Sequence, residues 1–385
     1  MVWGEAIGVA CIRDPRDPAV WSRTPARVCE VLATRGRLGP AFWGLPTTSV
    51  GMVVRSALAA ALHGDPTNVR GYLHDRRLRG VQGRHIARAI ERAGVSTVLH
   101  FSGDRYLPLP EPLDPRVRHY MIMDSTWSYW AKREGAGRYR NAVDDDLRRA
   151  YHQMTHLFCI PEHAKDSLVQ DYGIPEQKIT IVGTGTGVIQ PFHGEKDFAY
   201  EAILFAGKGR LEGKGAYLLI EAFKRALAQR PKLQLWLVGD PSFAEVAATT
   251  ANTTAFGFLE LPELQALFER ASLFAMPAVQ EPWGLVLIEA LLCKTPLLGL
   301  NRGAFPEIAR QGRFGFVVEE PTADAVAAGV LEAFSDTSRL QRMGEAGQRF
   351  AMEHFTWENV VDRMLTVIDR ENVVEPVAAE WEGAS

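Results

Sequence analysis

Ile203-Leu-Phe-Ala-Gly-Lys208-Gly-Arg210-Leu-Glu-Gly-Lys214-Gly215 is the stretch on which the fold turns. A short uncharged apolar run ends at a glycine, a basic loop follows, and Ala216–Gln229 continues with helical periodicity. That is a strand, a turn and a helix start. The same alternation recurs on both sides. Upstream, strands are expected at Glu5–Ile12, Val95–His100, Arg118–Met123, His156–Ile160 and Lys178–Val182. Helices are expected between them at Pro25–Arg35, Gln82–Ala93, Asp144–Met154 and Glu162–Tyr172. Downstream, strands Leu233–Val238, Leu273–Met276, Pro296–Leu300 and Gly315–Val318 alternate with helices Leu261–Arg270, Phe305–Gln311 and Ala323–Phe334. Thr337–Met352 and Trp357–Asp369 close the chain as helices. Alternating strands and helices predict an α/β protein with parallel sheets. Gln190–Tyr200, polar and interrupted by Pro191 and Gly194, reads as a linker between two doubly wound, Rossmann-like halves. Ligands in such folds bind beyond the carboxyl ends of strands, so the cleft between the halves is the expected site.

The bulk properties fit this reading. At 385 residues the chain exceeds what one core usually supports. With 46% hydrophobic and 23% charged residues it is a globular composition, and a net charge of −3 offers no global case for nucleic acid. Cys11, Cys29, Cys159 and Cys293 are scattered without metal-like spacing and read as buried thiols of a reducing compartment. The N-terminus has no basic n-region and reads as a first strand rather than a leader. The most apolar run, Gly51–Leu62, carries Arg55 and is too short to span a bilayer. The expected location is the cytoplasm, with room for peripheral contact at the inner face of a membrane.

Two elements carry the chemistry. In the loop after Ile203, glycines let backbone approach an anion closely, and Lys208, Arg210 and Lys214 supply cations for a diphosphate. No GK[ST] follows, which excludes a P-loop ATPase. The second element is Glu281-Pro-Trp-Gly-Leu-Val-Leu-Ile-Glu289. If a helix begins near Gly284, Glu281 lies just before it and Glu289 about one and a half turns in. Free N–H groups at that end favour an anion, so a carboxylate beside them suits a neutral polyol. Phosphate on the helix end and hydroxyls on the acids describe a sugar nucleotide. An acid near a helix start is also ordinary electrostatics, and this spacing alone does not separate the two readings.

Taken in order, these segments resemble the family 4 glycosyltransferases, retaining enzymes with the GT-B fold of two Rossmann-like domains facing a cleft. The resemblance rests on Gly207-Lys208 with Lys214-Gly215, Gly257-Phe-Leu, Ala275-Met-Pro277-Ala and the acid pair. It continues through Gly303-Ala-Phe-Pro306-Glu307-Ile308, Gly315-Phe-Val-Val318 and Phe355-Thr-Trp357-Glu358. In the first half it includes Asp17 to Pro25 and Ile160-Pro-Glu-His-Ala-Lys-Asp-Ser167 through Tyr172-Gly173. It implies an acceptor-side domain over residues 1–190 and a donor domain over 191–355. A closing helix at 356–370 would cross back to the first domain, and 371–385 would form a loose acidic tail.

The resemblance also implies roles. Lys214, with Lys208 or Arg210, would hold the diphosphate, assisted by backbone amides of Trp283, Gly284 and Leu285. Glu281 would accept from the transferred sugar and Glu289 from the ribose, while backbone at Phe258 or Leu259 would read the base. Arg23 departs from the pattern, standing in the first strand-to-helix loop where these relatives tend to carry glycine, and its side chain would reach phosphate or narrow the acceptor side. His100 and Asp124 end strands at the cleft, as sugar contact and as the group orienting an acceptor hydroxyl. Read from the residues alone, His100 is equally a structural donor and Asp124 an N-cap. Trp127, Tyr129 and Trp130 read first as core. Arg76, Arg77, Arg79, Arg84, Arg88 and Arg92 read as a solvated helix face, with anionic lipid or a phosphorylated acceptor as the sharper alternative.

The function expected is transfer of a hexose-like sugar from a nucleotide-diphosphate donor to a sugar or lipid-linked acceptor, in polysaccharide, glycolipid or other glycoconjugate synthesis. No metal or other cofactor is expected; Asp144-Asp-Asp146 reads as a helix start instead of a metal triplet. A sugar-nucleotide epimerase and a non-catalytic nucleotide-sugar binding protein are the alternatives.

Overall fold

The structure, a computed structural model, describes residues 5–45, 76–101, 103–134 and 140–373. The apolar run at Gly51–Leu62 and the tail from 374 onward lie outside the described residues. Two six-stranded parallel sheets form the frame. The first has the order β2-β1-β3-β4-β5-β6, from Ile7–Cys11 (β1), Leu38–Trp43 (β2), Thr97–His100 (β3), Arg118–Met123 (β4), His156–Cys159 (β5) and Ile179–Ile181 (β6). The second has the order β12-β11-β10-β7-β8-β9. Its strands are Ala202–Ala206 (β7), Gln234–Val238 (β8), Thr253–Gly257 (β9), Leu273–Ala275 (β10), Leu297–Leu300 (β11) and Gly315–Val318 (β12).

Every strand–strand pairing described is parallel. Helices cover both faces, so central strands are buried on both sides and read as continuous apolar runs. Accordingly Ile203, Leu204 and Phe205 of β7 and Leu273, Phe274 and Ala275 of β10 are wholly buried. The strand order reverses beside β7, which pairs with β10 on one side and β8 on the other. Beside β1 the first sheet does the same. The loops leaving β7 and β10 therefore emerge together at the switch point of the second sheet, where such folds take their ligands.

Several expectations are corrected. Strands β2 and β9 and the helix Phe243–Thr249 were not anticipated. Leu38-Gly-Pro-Ala-Phe-Trp43 carries two residues that discourage strands, but β2 is an edge strand, where proline is tolerated. Asp144-Asp-Asp146 does not start a helix, because Arg140–Gln153 is helical throughout. Asp146 is buried and pairs with Arg79 at 2.6 Å, Arg76 at 3.3 Å and Arg149. Arg79 is itself buried, so the basic helix Arg76–Ala93 is not solvated on all its arginines. A carboxylate among three guanidinium groups is what permits that burial.

The last helix runs Trp357–Val373, beyond the expected end, and packs on the first domain. Arg35 and Arg37 pair with Asp362 and Asp369, each at 2.8 Å. Glu371, expected in a loose tail, instead accepts from Tyr120 Oη at 2.9 Å and lies 3.2 Å from His156 Nδ1. Among the described residues no helix is long and apolar enough to cross a membrane.

Candidate functional site

The basic loop 207–215 and the acid-bearing loop 276–284 are knitted together before they meet any ligand. Gly213 O accepts from both Val279 N and Gln280 N at 2.9 Å. Gly215 adopts φ +76°, and a Cβ there would lie 2.0 Å from Pro277 O, so only glycine lets the two backbones approach. Gly284, at φ +87°, is the N-cap of the helix Leu285–Leu292, as the spacing predicted. Lys214 Nζ stands 3.6 Å from Glu281 Oε2, both partly exposed at this helix end. An ammonium, free helix N–H groups and a carboxylate thus share one small region. The cation and the N–H groups suit phosphate, and the carboxylate suits neutral hydroxyls.

Lys208 and Arg210 diverge. Lys208 is exposed, whereas the Arg210 guanidinium lies over the Trp130 ring, 4.5 Å from its centroid, and donates to Gln280 Oε1 at 3.3 Å. Arg210 therefore bridges the cleft from the second domain to the first. Trp283, in the acid-bearing loop, buries its ring edge-on to Phe355, with centroids 6.2 Å apart. Phe258 is 68% exposed at the end of β9, with Leu259 partly buried beside it.

Glu289 is only 8% exposed. Its Oε1 accepts from Val188 N at 2.7 Å and lies 3.4 Å from Ile189 N, in the segment joining the domains. A Cβ on Gly187 would lie 2.0 Å from that oxygen, so the glycine makes room for the carboxylate. Among the described residues Oε2 has no hydrogen-bond partner. The residue is thus a clasp on the interdomain segment, a role the sequence reading did not assign it. Burial raises its pKa, opposed by the two backbone N–H groups.

Asp124 faces the cleft from the end of β4. Its Oδ2 accepts from Trp21 Nε1 at 3.2 Å and its Oδ1 from Ser125 Oγ at 2.9 Å. It does not cap the next helix: Thr126 Oγ1 accepts from Tyr129 N at 3.1 Å and does so instead. Desolvation raises the Asp124 pKa, and the charges of Glu281 and Asp104 push the same way. It lines a cavity of about 220 Å³ with Trp21, Asp104, Arg105, Trp127 and Trp130. Trp21, Ser22 and Arg23 all have positive φ (41°, 52° and 69°), which non-glycine residues seldom adopt and which marks strain near the site. Arg23 is partly buried, and its Nε has no partner among the described residues.

His100 requires correction. It is wholly buried, with Nδ1 3.0 Å from Tyr106 Oη and Nε2 2.9 Å from His119 Nδ1. Tyr106 Oη donates onward to Ala10 O at 3.2 Å. Burial holds the His100 pKa well below the usual histidine value and that of His119 down to about 4. Both ring nitrogens are occupied inside the core, so His100 supports β1 and β4 and contacts no sugar.

Contacts across the cleft involve residues given no role from sequence. His163 Nε2 donates to Pro282 O at 2.8 Å, and its ring stacks on Tyr129 at 4.1 Å. Glu307 Oε2 accepts from Glu162 N at 3.0 Å, capping the helix Glu162–Tyr172 from the opposite domain. The only signal was their place in ordered motifs, Ile160-Pro-Glu-His163 and Pro306-Glu307. Among the described residues no group of three His, Cys, Asp or Glu side chains is placed to hold a metal.

Residues 190–350 match the glycosyl transferases group 1 family. A D-inositol 3-phosphate glycosyltransferase of Rhodococcus opacus is 28% identical over 222 residues, 52% of this chain and 50% of that protein. The chain thus spans about half the length of the curated relative it matches. Among solved structures, a glycosyltransferase from Rickettsia africae superposes over 97% of this chain and 100% of its own, with TM-score 0.68 at 15% identity. Anabaena HepE in complex with UDP and glucose covers 94% of this chain and 99% of its own, with TM-score 0.59 at 14% identity. The two sheets have the GT-B fold of these solved structures, and residues 190–350 are similar to the glycosyl transferases group 1 family.

Proposed function

We propose that the protein is a retaining, metal-independent glycosyltransferase that moves a sugar from a nucleotide-diphosphate donor to an acceptor hydroxyl. One observation carries the reading: Lys214 and Glu281 stand 3.6 Å apart at the N-terminus of the helix Leu285–Leu292. Lys214 and the amides of Trp283, Gly284 and Leu285 face the diphosphate, with Lys208 or Arg210 as second cation. Glu281 accepts from hydroxyls of the sugar in transit. The free side of Glu289 takes the ribose, and backbone at Phe258 or Leu259 meets the base. The acceptor enters the cavity beside Asp124, whose carboxylate orients its hydroxyl.

The bond from the anomeric carbon to the diphosphate oxygen breaks as a bond to the acceptor oxygen forms on the same face. The acceptor proton passes to the departing diphosphate. Charge grows on that leaving group, and preorganised cations and helix N–H groups stabilise it most where it is greatest. Lys and Arg supply the positive charge that a metal would otherwise bring. The Rhodococcus relative, a glycosyltransferase, supports sugar transfer, and the Anabaena structure in complex with UDP and glucose supports a nucleotide-sugar donor. A carbohydrate or lipid-linked acceptor in glycoconjugate synthesis agrees with them.

Thermal shift with UDP, GDP, ADP and dTDP selects the base, since a ligand at 100 times its dissociation constant adds about 2.7 kcal/mol. Incubating the matching sugar nucleotide with and without candidate acceptors then separates transfer from epimerisation and from binding alone. Glu281→Ala is expected to abolish transfer while the melting temperature is kept; wild-type turnover in that variant sinks the assignment.

A further inference from the structure

Trp283, Glu307, Arg310, Phe350, His354, Phe355 and Arg363 meet Ile181 and Gly183 around a cavity of about 150 Å³. Its walls come from three places: the donor domain, the end of β6, and the helix that crosses between domains. Among the described residues neither the Arg310 nor the Arg363 guanidinium is in an ion pair. Both are nonetheless held. Arg310 lies 5.1 Å from the centroid of the Phe350 ring, and His354 stacks on that same ring at 4.0 Å. His354 Nδ1 donates to Phe350 O at 3.1 Å, leaving Nε2 for another partner. One Arg363 nitrogen donates to Val182 O at 2.8 Å, leaving the rest of the guanidinium for others. Trp283 is 6% exposed, and its buried indole N–H has no hydrogen-bond partner among the described residues. A buried donor left unmade is costly, and it points to something that accepts.

The one acid in the wall is Glu307: its Oε2 accepts from Glu162 N, and the charge of Arg310 acts on the same carboxyl. Two guanidinium groups outside any ion pair within 4 Å, an imidazole and an orphan N–H around a small space, against the single acid Glu307, match a tetrahedral oxyanion, which guanidinium binds in bidentate fashion. The volume is below the roughly 300–1,000 Å³ of sites for drug-sized ligands, so a whole nucleotide does not fit. We propose that this hinge cavity is a second anion site, distinct from the donor site, that takes inorganic phosphate or the phosphate head of a monoester. A phosphate held there ties Arg310 of the donor domain to Arg363 of the crossing helix. Because Trp283 belongs to both the cavity wall and the donor loop, occupancy is coupled to donor affinity, and donor binding to occupancy.

The test is calorimetric titration of orthophosphate at constant ionic strength, into wild type, the Arg310→Gln/Arg363→Gln double variant, and a Lys208→Ala/Lys214→Ala variant. Wild type and the lysine variant are expected to bind one phosphate saturably. The arginine variant, its melting temperature kept, is expected to bind at least about tenfold more weakly, the scale of losing a charge-assisted hydrogen bond. Tighter binding of glycerol 3-phosphate than of orthophosphate assigns the site to monoesters, and the reverse order to the free ion. Absence of saturable binding in wild type overturns the proposal. So does unchanged affinity in the arginine variant, or loss confined to the lysine variant. None of these outcomes depends on sugar transfer, so the site stands or falls apart from the proposed activity.

Discussion

Glu289→Ala should weaken the fold before it weakens any ligand contact. The substitution removes the acceptor of the Val188 N–H, at 2.7 Å, and the contact to Ile189 N at 3.4 Å. The second distance is at the edge of useful geometry, so the first bond dominates. A hydrogen bond to a charged acceptor contributes about 1.5–3 kcal/mol, and the exposed cavity over Gly187 adds to the loss, for an expected total of about 2–4 kcal/mol. Glu289→Gln keeps an oxygen for both amides and should stay within about 1 kcal/mol of wild type at neutral pH. Burial raises the Glu289 pKa, so the charged form is disfavoured in the folded state. Wild type therefore loses stability as pH rises through that raised value, and the glutamine variant does not. Urea unfolding at several pH values measures both effects. Calorimetric titration of the selected nucleoside diphosphate measures the ribose contact, which glutamine should weaken about tenfold by presenting N–H₂ in place of one oxygen. Wild-type stability in Glu289→Ala would refute the clasp. Wild-type nucleotide affinity in Glu289→Gln would refute the ribose contact alone.

Two further outcomes are expected. His100→Ala should lower stability by about 2–4 kcal/mol, because it empties a buried site and orphans Tyr106 and His119, yet leave kcat per folded molecule unchanged; a fall in kcat with the denaturation midpoint kept would restore it to the site. Burial lifts the Glu307 carboxyl from its ordinary 4.5 to about 7. Its contribution to stability is therefore fully present below 4.5 and lost as pH rises through about 7, so thermal melts across that window should flatten in Glu307→Gln. A slope unchanged by the substitution would contradict this.

Periodicity made most of the frame legible, because strands buried on both faces are uninterrupted apolar runs. Ile203–Phe205 and Leu297–Leu300 are of that kind. β2 and β9 were hidden for a physical reason. Both are edge strands, half exposed, one with Gly39 and Pro40 and the other a polar Thr253-Thr-Ala-Phe-Gly257. The meeting of the basic loop and the acid-bearing loop was legible for a different reason. Lys214, Gly215, Glu281 and Gly284 lie in two loops whose residue types each have one strong chemical use. The clasp was not: Glu289 reaches backbone a hundred positions away, and a backbone partner leaves no mark in the sequence. His100 misled because a strand end beside a cleft and a strand end in a core differ only in which way the side chain turns. The buried Arg79–Asp146 pair was unreadable for the same reason, since each residue taken alone belongs on a surface.

The contacts between the domains converge on the donor loop. His163 holds Pro282 O, next to Glu281, and Arg210 reaches from the basic loop to Trp130. Glu307 caps a helix of the first domain, and Glu289 clasps the segment that joins the two. Residues that would grip a donor are thus neighbours, or the same residues, as those that dock one domain on the other. A ligand shifts a conformational equilibrium only by the difference in its affinity for the two states. Here that difference has a source: with the domains apart, Arg210 loses Trp130 and the Pro282 carbonyl loses His163, so the two loops proposed to hold the donor are less ordered. On the proposed function, donor binding would therefore favour the docked arrangement. Docking would in turn exclude water from the anomeric carbon of a sugar held there, the condition under which transfer outruns hydrolysis.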